Sequence, residues 1–153
     1  MSQRRIVIGI GNPDRGDDGV GPLVVDKLRD LLPPGVDAIV HSGEATSLLA
    51  KIEGASAAFL VDASWSGARV GTIRRIDVNR DDLPDLEMKM STHGFGLAGA
   101  VELGRVLDQL PLVCVVYVIE AQNMDTGAPL SPQVVGAAEA VAGMIRDEVM
   151  QDA

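Results

Sequence analysis

Along this chain, short continuous apolar runs alternate with stripes of helical spacing. Ile6–Ile10 is apolar without interruption, as expected of a strand buried on both faces. From Gly19 to Leu32 the apolar positions Val20, Leu23, Val24, Leu28, Leu31 and Leu32 line one side of a helix. Pro22 suits its first turn and Pro33-Pro34-Gly35 ends it. Val36–Val40 reads as a second strand, Thr46–Ile52 as a short helix closed by Gly54, and Ala57–Val61 as a third strand ending on Asp62. Gly71–Val78 mixes polar and apolar positions, which predicts a strand nearer an edge. Residues 79–92 read as a loop, Leu97–Leu110 as a helix, and Leu112–Ile119 as the most hydrophobic strand. A loop over 120–130 precedes a last helix with Ser131 as N-cap and Pro132 at its first position. In that helix Val134, Ala138, Val141, Ile145 and Val149 recur at spacings of four, three, four and four, which turns one face inward.

Alternating strands and helices predict an α/β fold: a three-layer α/β/α sandwich around a mostly parallel, twisted sheet of about five strands. The 153 residues fit a single domain, taken as 1–153, with no repeat or linker to divide them. In such sheets ligands bind outside the carboxyl ends of the strands. That rule singles out Asp17 and Asp18 after the first strand, Asp62 after the third, Glu120 after the fifth, and His93 in a Gly-bounded turn entering a helix.

Composition narrows the function classes. Thirteen Lys and Arg against 22 Asp and Glu give a net charge of −9, which repels phosphate backbones and anionic lipid. Neither a nucleic acid nor a membrane is therefore expected as a partner. With aromatic residues at 3%, a stacking platform for bases or sugars is poorly supported. The single Cys114 excludes an intrachain disulfide and a Cys-rich zinc site. No leader-like segment or membrane-length apolar run is seen, so the cytoplasm is the expected compartment.

Familiar phosphate and nucleophile motifs fail on their details. Gly9 and Gly11 open like a dinucleotide fingerprint, but Asp14 takes the place of the third Gly. Gly11 and Gly16 have P-loop spacing, yet Asp17-Asp18 replaces the Lys-Ser/Thr pair and reverses the charge. No nucleophile elbow and no zinc-protease helix motif occurs, no organic cofactor is called for, and Cys114 reads as an inert buried thiol. His41 reads as a polar loop residue, with metal binding as the second reading. An Asp ahead of a helix is ordinarily a cap, so Asp17 and Asp18 supply one cap and one spare ligand. Asp62 at the end of a buried strand needs a partner, either backbone N–H groups or a cation. Two carboxylates and one imidazole are a plausible donor set for a divalent transition metal with open positions.

Four blocks carry a resemblance. They are IVIGIGNPDRGDDGVGP (Ile6–Pro22), FLVDASWSGARVGTI (Phe59–Ile73), STHGFGL (Ser91–Leu97) and IEAQNMDTGAPLSP (Ile119–Pro132). In this order and spacing they resemble the nickel–iron hydrogenase maturation proteases, over about residues 5–149. The resemblance implies an endopeptidase that removes the C-terminal extension of the hydrogenase large-subunit precursor after nickel insertion. It places the nickel-binding positions on Asp18, Asp62 and His93, with the nickel supplied by the precursor. Asp18 stands where some members carry Glu, and Glu44 replaces part of a Gly-rich pattern, with a bearing on which precursor is accepted. Water is the expected nucleophile. Nickel either assists the chemistry or serves as a recognition tag with an Asp as general base, for which Asp17 is the spare candidate. The rival reading is a noncatalytic nickel-binding or metallochaperone module on the same fold.

Overall fold

The computed structural model describes residues 4–81 and 96–151. Strand β1 (Arg5–Ile10) is next to the central strand of a five-stranded sheet ordered β2-β1-β3-β5-β4. Strands β2 (Val36–His41), β3 (Ala57–Ser64) and β5 (Val113–Glu120) run parallel with it, and β4 (Ile73–Asp77) is antiparallel to β5 at the edge. Among the described residues the helices are α1 (Val20–Leu28), α2 (Ala45–Ile52), α3 (Gly96–Val106) and α4 (Pro132–Gln151). The three layers, the sheet and the edge position of β4 are those the sequence pattern predicts.

Period-two alternation divides the core between the two faces. Val7, Phe59, Val61, Tyr117 and Ile119 point toward α1 and α4, where Val24, Leu28, Val141 and Ile145 meet them. Ile6, Ile8, Leu60, Val116 and Val118 point toward α2 and α3, where Leu48, Ile52, Leu97 and Val101 meet them. Each such fully buried aliphatic side chain contributes roughly 1.5–3 kcal/mol. Helix α1 lies unusually close to β1. A Cβ on Gly21 would stand 2.5 Å from the Ile10 backbone and 2.8 Å from the Val61 carbonyl oxygen, so only glycine allows this approach.

Boundaries differ from the sequence expectation where local polar groups decide them. Helix α1 stops at Leu28 because the chain turns there, with the Leu31 N–H donating to the Leu28 carbonyl. Helix α3 ends at Val106, short of Leu110. Asp108 takes φ +54°, and the N–H of Gln109 reaches back to the Gly104 carbonyl, a Schellman closure. Strand β3 runs on to Ser64, three residues past its expected end, because Asp62, Ala63 and Ser64 continue to pair with β5. Asp62 is thus inside a strand, opposite Val118. Ser131 precedes α4 as expected, but its hydroxyl proton goes to Asp17.

Candidate active site at the carboxyl edge

The connection from β1 to α1 carries the acids. Asn12 accepts the Asp14 N–H on its side-chain oxygen, and a 3₁₀ turn over Gly16–Gly19 follows. Neither Asp17 nor Asp18 caps α1 with its side chain. Asp18, 1% exposed, accepts the Asn12 N–H on Oδ2 at 3.1 Å. Its backbone lies directly over Gly11, which has φ +139°. A Cβ there would come within 1.9 Å of the Asp18 carbonyl oxygen, so Gly11 is what allows Asp18 this position.

Asp17 points the other way and is fully buried. Its Oδ1 accepts the Ser131 N–H at 2.7 Å. Its Oδ2 accepts the N–H groups of Gln122 at 2.9 Å and Asn123 at 3.0 Å and the Ser131 hydroxyl at 2.8 Å. Burial alone would push this carboxyl up, but these donors together outweigh it and hold the group below its usual range. These contacts weigh against Asp17, the spare candidate, as a general base. A carboxylate enclosed by four donors and shut off from water is a tie between the turn and the β5–α4 loop. The backbone completes the tie, the Asp17 N–H reaching the Asn123 carbonyl and the Gly127 N–H reaching the Asp14 carbonyl, both at 2.8 Å.

Glu120 is a second tie. Its carboxylate accepts from the Ser64 and Ser66 hydroxyls and from the Ser66 and Gly67 N–H groups. It shapes the loop that leaves β3.

Asp62 is 2% exposed and accepts the Ala63 N–H at 2.8 Å. Alternation puts it on the sheet face that α2 and α3 cover. β1 and β3 are adjacent, Gly9 opposite Val61, and the 3₁₀ turn packs on β3. Asp18 and Asp62 therefore stand at the carboxyl ends of neighbouring strands. This is the switch point of the sheet, where the chain leaves β1 toward β2 on one side and β3 leads toward β4 and β5 on the other. The third expected ligand, His93, lies outside the described residues. Among the described residues no group of three His, Cys, Asp or Glu is arranged to hold a metal ion.

A sequence profile of the hydrogenase maturation protease family matches residues 22–148, well over half of the chain. The chain belongs to this family. It is 27% identical over 151 residues to the hydrogenase expression/formation protein HupD of Rhodobacter capsulatus, covering 95% of this chain and 71% of HupD. Its fold is that of the hydrogenase maturating endopeptidase HybD from Escherichia coli, with a TM-score of 0.83, 22% identity, and coverage of 97% of this chain and 93% of HybD. HybD of Thermococcus kodakarensis, a [NiFe] hydrogenase maturation protease, superposes with a TM-score of 0.77 at 19% identity, over 95% and 99% of the two chains.

A maturation protease must open a peptide bond, and two further side chains with reactive chemistry, His41 and Cys114, are otherwise engaged here. His41 ends β2 and lines a cleft of about 400 Å³ together with Asp18, Gly11 and Arg15. Its Nδ1 accepts the Gly43 N–H at 2.9 Å, which leaves the proton on Nε2, 3.0 Å from the Ser47 hydroxyl. Burial, with Lys51 in support, holds its pKa below the usual histidine value against the pull of Glu44. Sequence reasoning placed His41 in a loop and missed that it borders Asp18. The signal was available, since His41 ends an inner strand's neighbour at the same sheet edge. Cys114 is fully buried in β5, and its thiol is pushed up to about 12, chiefly by burial with Asp77 adding to it. Cys114→Ser is therefore expected to keep proteolysis while losing about 1–2 kcal/mol of stability from a hydroxyl in the core. Cleavage assays and thermal melts check this. Loss of cleavage with the fold intact would make the thiol a participant. No helix among the described residues is long and apolar enough to cross a membrane.

Proposed function

We propose that this protease removes the C-terminal extension of a nickel–iron hydrogenase large-subunit precursor after nickel has been inserted. In this reading Asp18, Asp62 and His93 hold the precursor's nickel and thereby place the scissile bond at the carboxyl edge. The supporting observation is the pair Asp18 and Asp62: two buried carboxylates delivered by adjacent strands to the switch point of a maturation-protease fold. The nickel is part of the substrate, so the site reads the maturation state of the precursor instead of holding a metal of its own. Water is the nucleophile, because the one thiol is buried with a raised pKa. Asp18 or Asp62 accepts its proton, since both oxygens of Asp17 are occupied by donors from the β5–α4 segment. The large acidic excess disfavours nucleic acids and anionic membranes as partners, and the reading sets the enzyme to work in the cytoplasm.

The test mixes the protein with nickel-loaded and nickel-free precursor and follows the C-terminal mass loss. Only the loaded form is expected to be cut, and inhibitors of serine and cysteine proteases should have no effect. Equal cleavage of both forms would refute nickel recognition. Cleavage of neither, with stoichiometric nickel uptake, would establish the noncatalytic binding module.

A further inference from the structure

Strand β2 leaves one edge of the sheet open. It pairs with β1 on one side, and no described strand pairs with it on the other. Gly35 and His41 give their carbonyls to the N–H groups of Arg5 and Gly11 on the β1 side, at 3.4 and 3.1 Å. In a parallel ladder alternate residues turn both backbone groups the same way, so Ala38 and Val40 turn theirs outward. The opposite edge is guarded. Strand β4 carries Arg74, Arg75 and Asp77 within its five residues, and Asp81 already accepts the Asp77 N–H at 2.8 Å. In β2 the charged residue ahead of His41 is Asp37, near the amino end, and Val40 is 42% exposed. The strand also ends at the candidate site. Val40, His41 and Ser42 line the same cleft of about 400 Å³ as Asp18.

We infer that β2 takes the precursor polypeptide as an added strand along this edge and leads it into the cleft that holds Asp18. The inference rests on the protease reading above. The chemistry of the edge names the class of occupant. Outward N–H and C=O groups at the spacing of a strand are matched by an extended polypeptide, which supplies an acceptor and a donor at the same repeat. Continuity names its source. The edge and the candidate site meet at Val40, His41 and Ser42, so a chain running along β2 arrives in the cleft with its backbone already extended. A peptidase gains from that arrangement, because a backbone held straight beside the scissile bond has lost its freedom before the chemistry starts. Main-chain pairing also suits a substrate read by its nickel, since hydrogen bonds to backbone groups make no demand on the side chains of the segment they hold.

The experiment measures amide hydrogen exchange at Ala38 and Val40 in the full chain, alone and with saturating nickel-loaded precursor. Processing kinetics are measured on the parent, Ala38→Pro and Ala38→Ser. Proline removes an outward N–H that β1 does not use, a change that edge strands tolerate, whereas serine keeps the N–H. Both amides are expected to exchange freely in the protein alone and at least about 10-fold more slowly with the precursor. Ala38→Pro should raise KM about 10-fold with kcat little changed, because it removes ground-state contact and no chemistry, and Ala38→Ser should match the parent. If Ala38→Pro does not fold, the exchange of the parent decides alone. If the parent cleaves the precursor while both amides exchange as fast with it as without it, the edge is not the seat and the protease reading stands. Slow exchange in the absence of precursor that strengthens with protein concentration would give the edge to a second copy of this chain and overturn the inference. If the parent cleaves no nickel-loaded precursor at all, the protease reading itself fails and takes this inference with it.

Discussion

Replacing Asp17 by alanine is expected to destabilise the protein by on the order of 3–5 kcal/mol, more than any other single polar change at this edge. The substitution leaves the N–H groups of Gln122, Asn123 and Ser131 and the Ser131 hydroxyl facing an apolar methyl. Each buried donor without an acceptor costs about 1–3 kcal/mol. The sum is capped by the option of swinging the 122–131 segment outward, where water satisfies the donors. The amides of Gln122, Asn123 and Ser131 should accordingly lose hydrogen-exchange protection before the sheet does. Against a typical domain stability of about 5–15 kcal/mol the chain still folds at low temperature.

The pH dependence carries the same signature. A carboxyl held below its usual range adds stability that is complete above the unfolded value of roughly 3.9 and is lost as pH falls through the lowered folded value. The stability gap between parent and Asp17→Ala should be full near neutrality and close in strong acid. The acid limb of the pH–rate profile, by contrast, should stay where it is in the surviving folded fraction. A displaced limb with unchanged stability would restore Asp17 as the base.

Asp17 also shows where sequence reading reaches its limit. Strand and helix positions follow from hydrophobic period, and the carboxyl-edge rule brings Asp17, Asp18, Asp62 and Glu120 to one side of the sheet before any coordinates are known. Period says which face a side chain takes within a strand, but it is silent about loops. Asp17 and Asp18 are adjacent identical residues in a 3₁₀ turn, and nothing local states that one faces the β5–α4 loop and the other Gly11. That division is made by residues more than 100 positions away, through backbone N–H groups that every sequence possesses. The same applies to Glu120, whose partners Ser64, Ser66 and Gly67 stand at the end of β3 and on the loop that follows it. The extension of β3 through Asp62 was hidden for a related reason. A charged residue reads as the end of an apolar run, yet here β5 continues the ladder beside it as far as Ser64. Ser131 shows the reverse case, in which a good local rule located the start of α4 but a distant carboxylate took the hydroxyl.

Asp62→Ala is expected to lower precursor processing by roughly three orders of magnitude while leaving the fold in place. A thousandfold loss corresponds to about 4 kcal/mol of transition-state stabilisation, the scale supplied by one ligand that positions a metal-bearing substrate and one group that accepts a proton. Stability should respond little. Asp62 is buried and accepts the Ala63 N–H, so its removal trades lost contacts for a lost desolvation penalty. The thermal midpoint should move by no more than about 2–4 °C, equivalent to roughly 1 kcal/mol in a chain of this size. Asp62→Asn separates shape from charge: the amide oxygen still accepts the Ala63 N–H, so the fold keeps its contact and only the negative charge disappears. Activity in Asp62→Asn should fall nearly as far as in Asp62→Ala. Asp18→Asn should do the same, with the Asn12 N–H still satisfied. Processing within tenfold of the parent in both asparagine variants would show that neither charge binds nickel or moves a proton. His93→Ala tests the remaining member of the proposed donor set, and full activity in that variant would leave the two carboxylates to recognise the precursor alone. The contrast with Asp17 is what decides the roles. Asp17 should cost stability with the pH–rate limb unmoved, and Asp62 on β3 should cost activity with the melt unmoved.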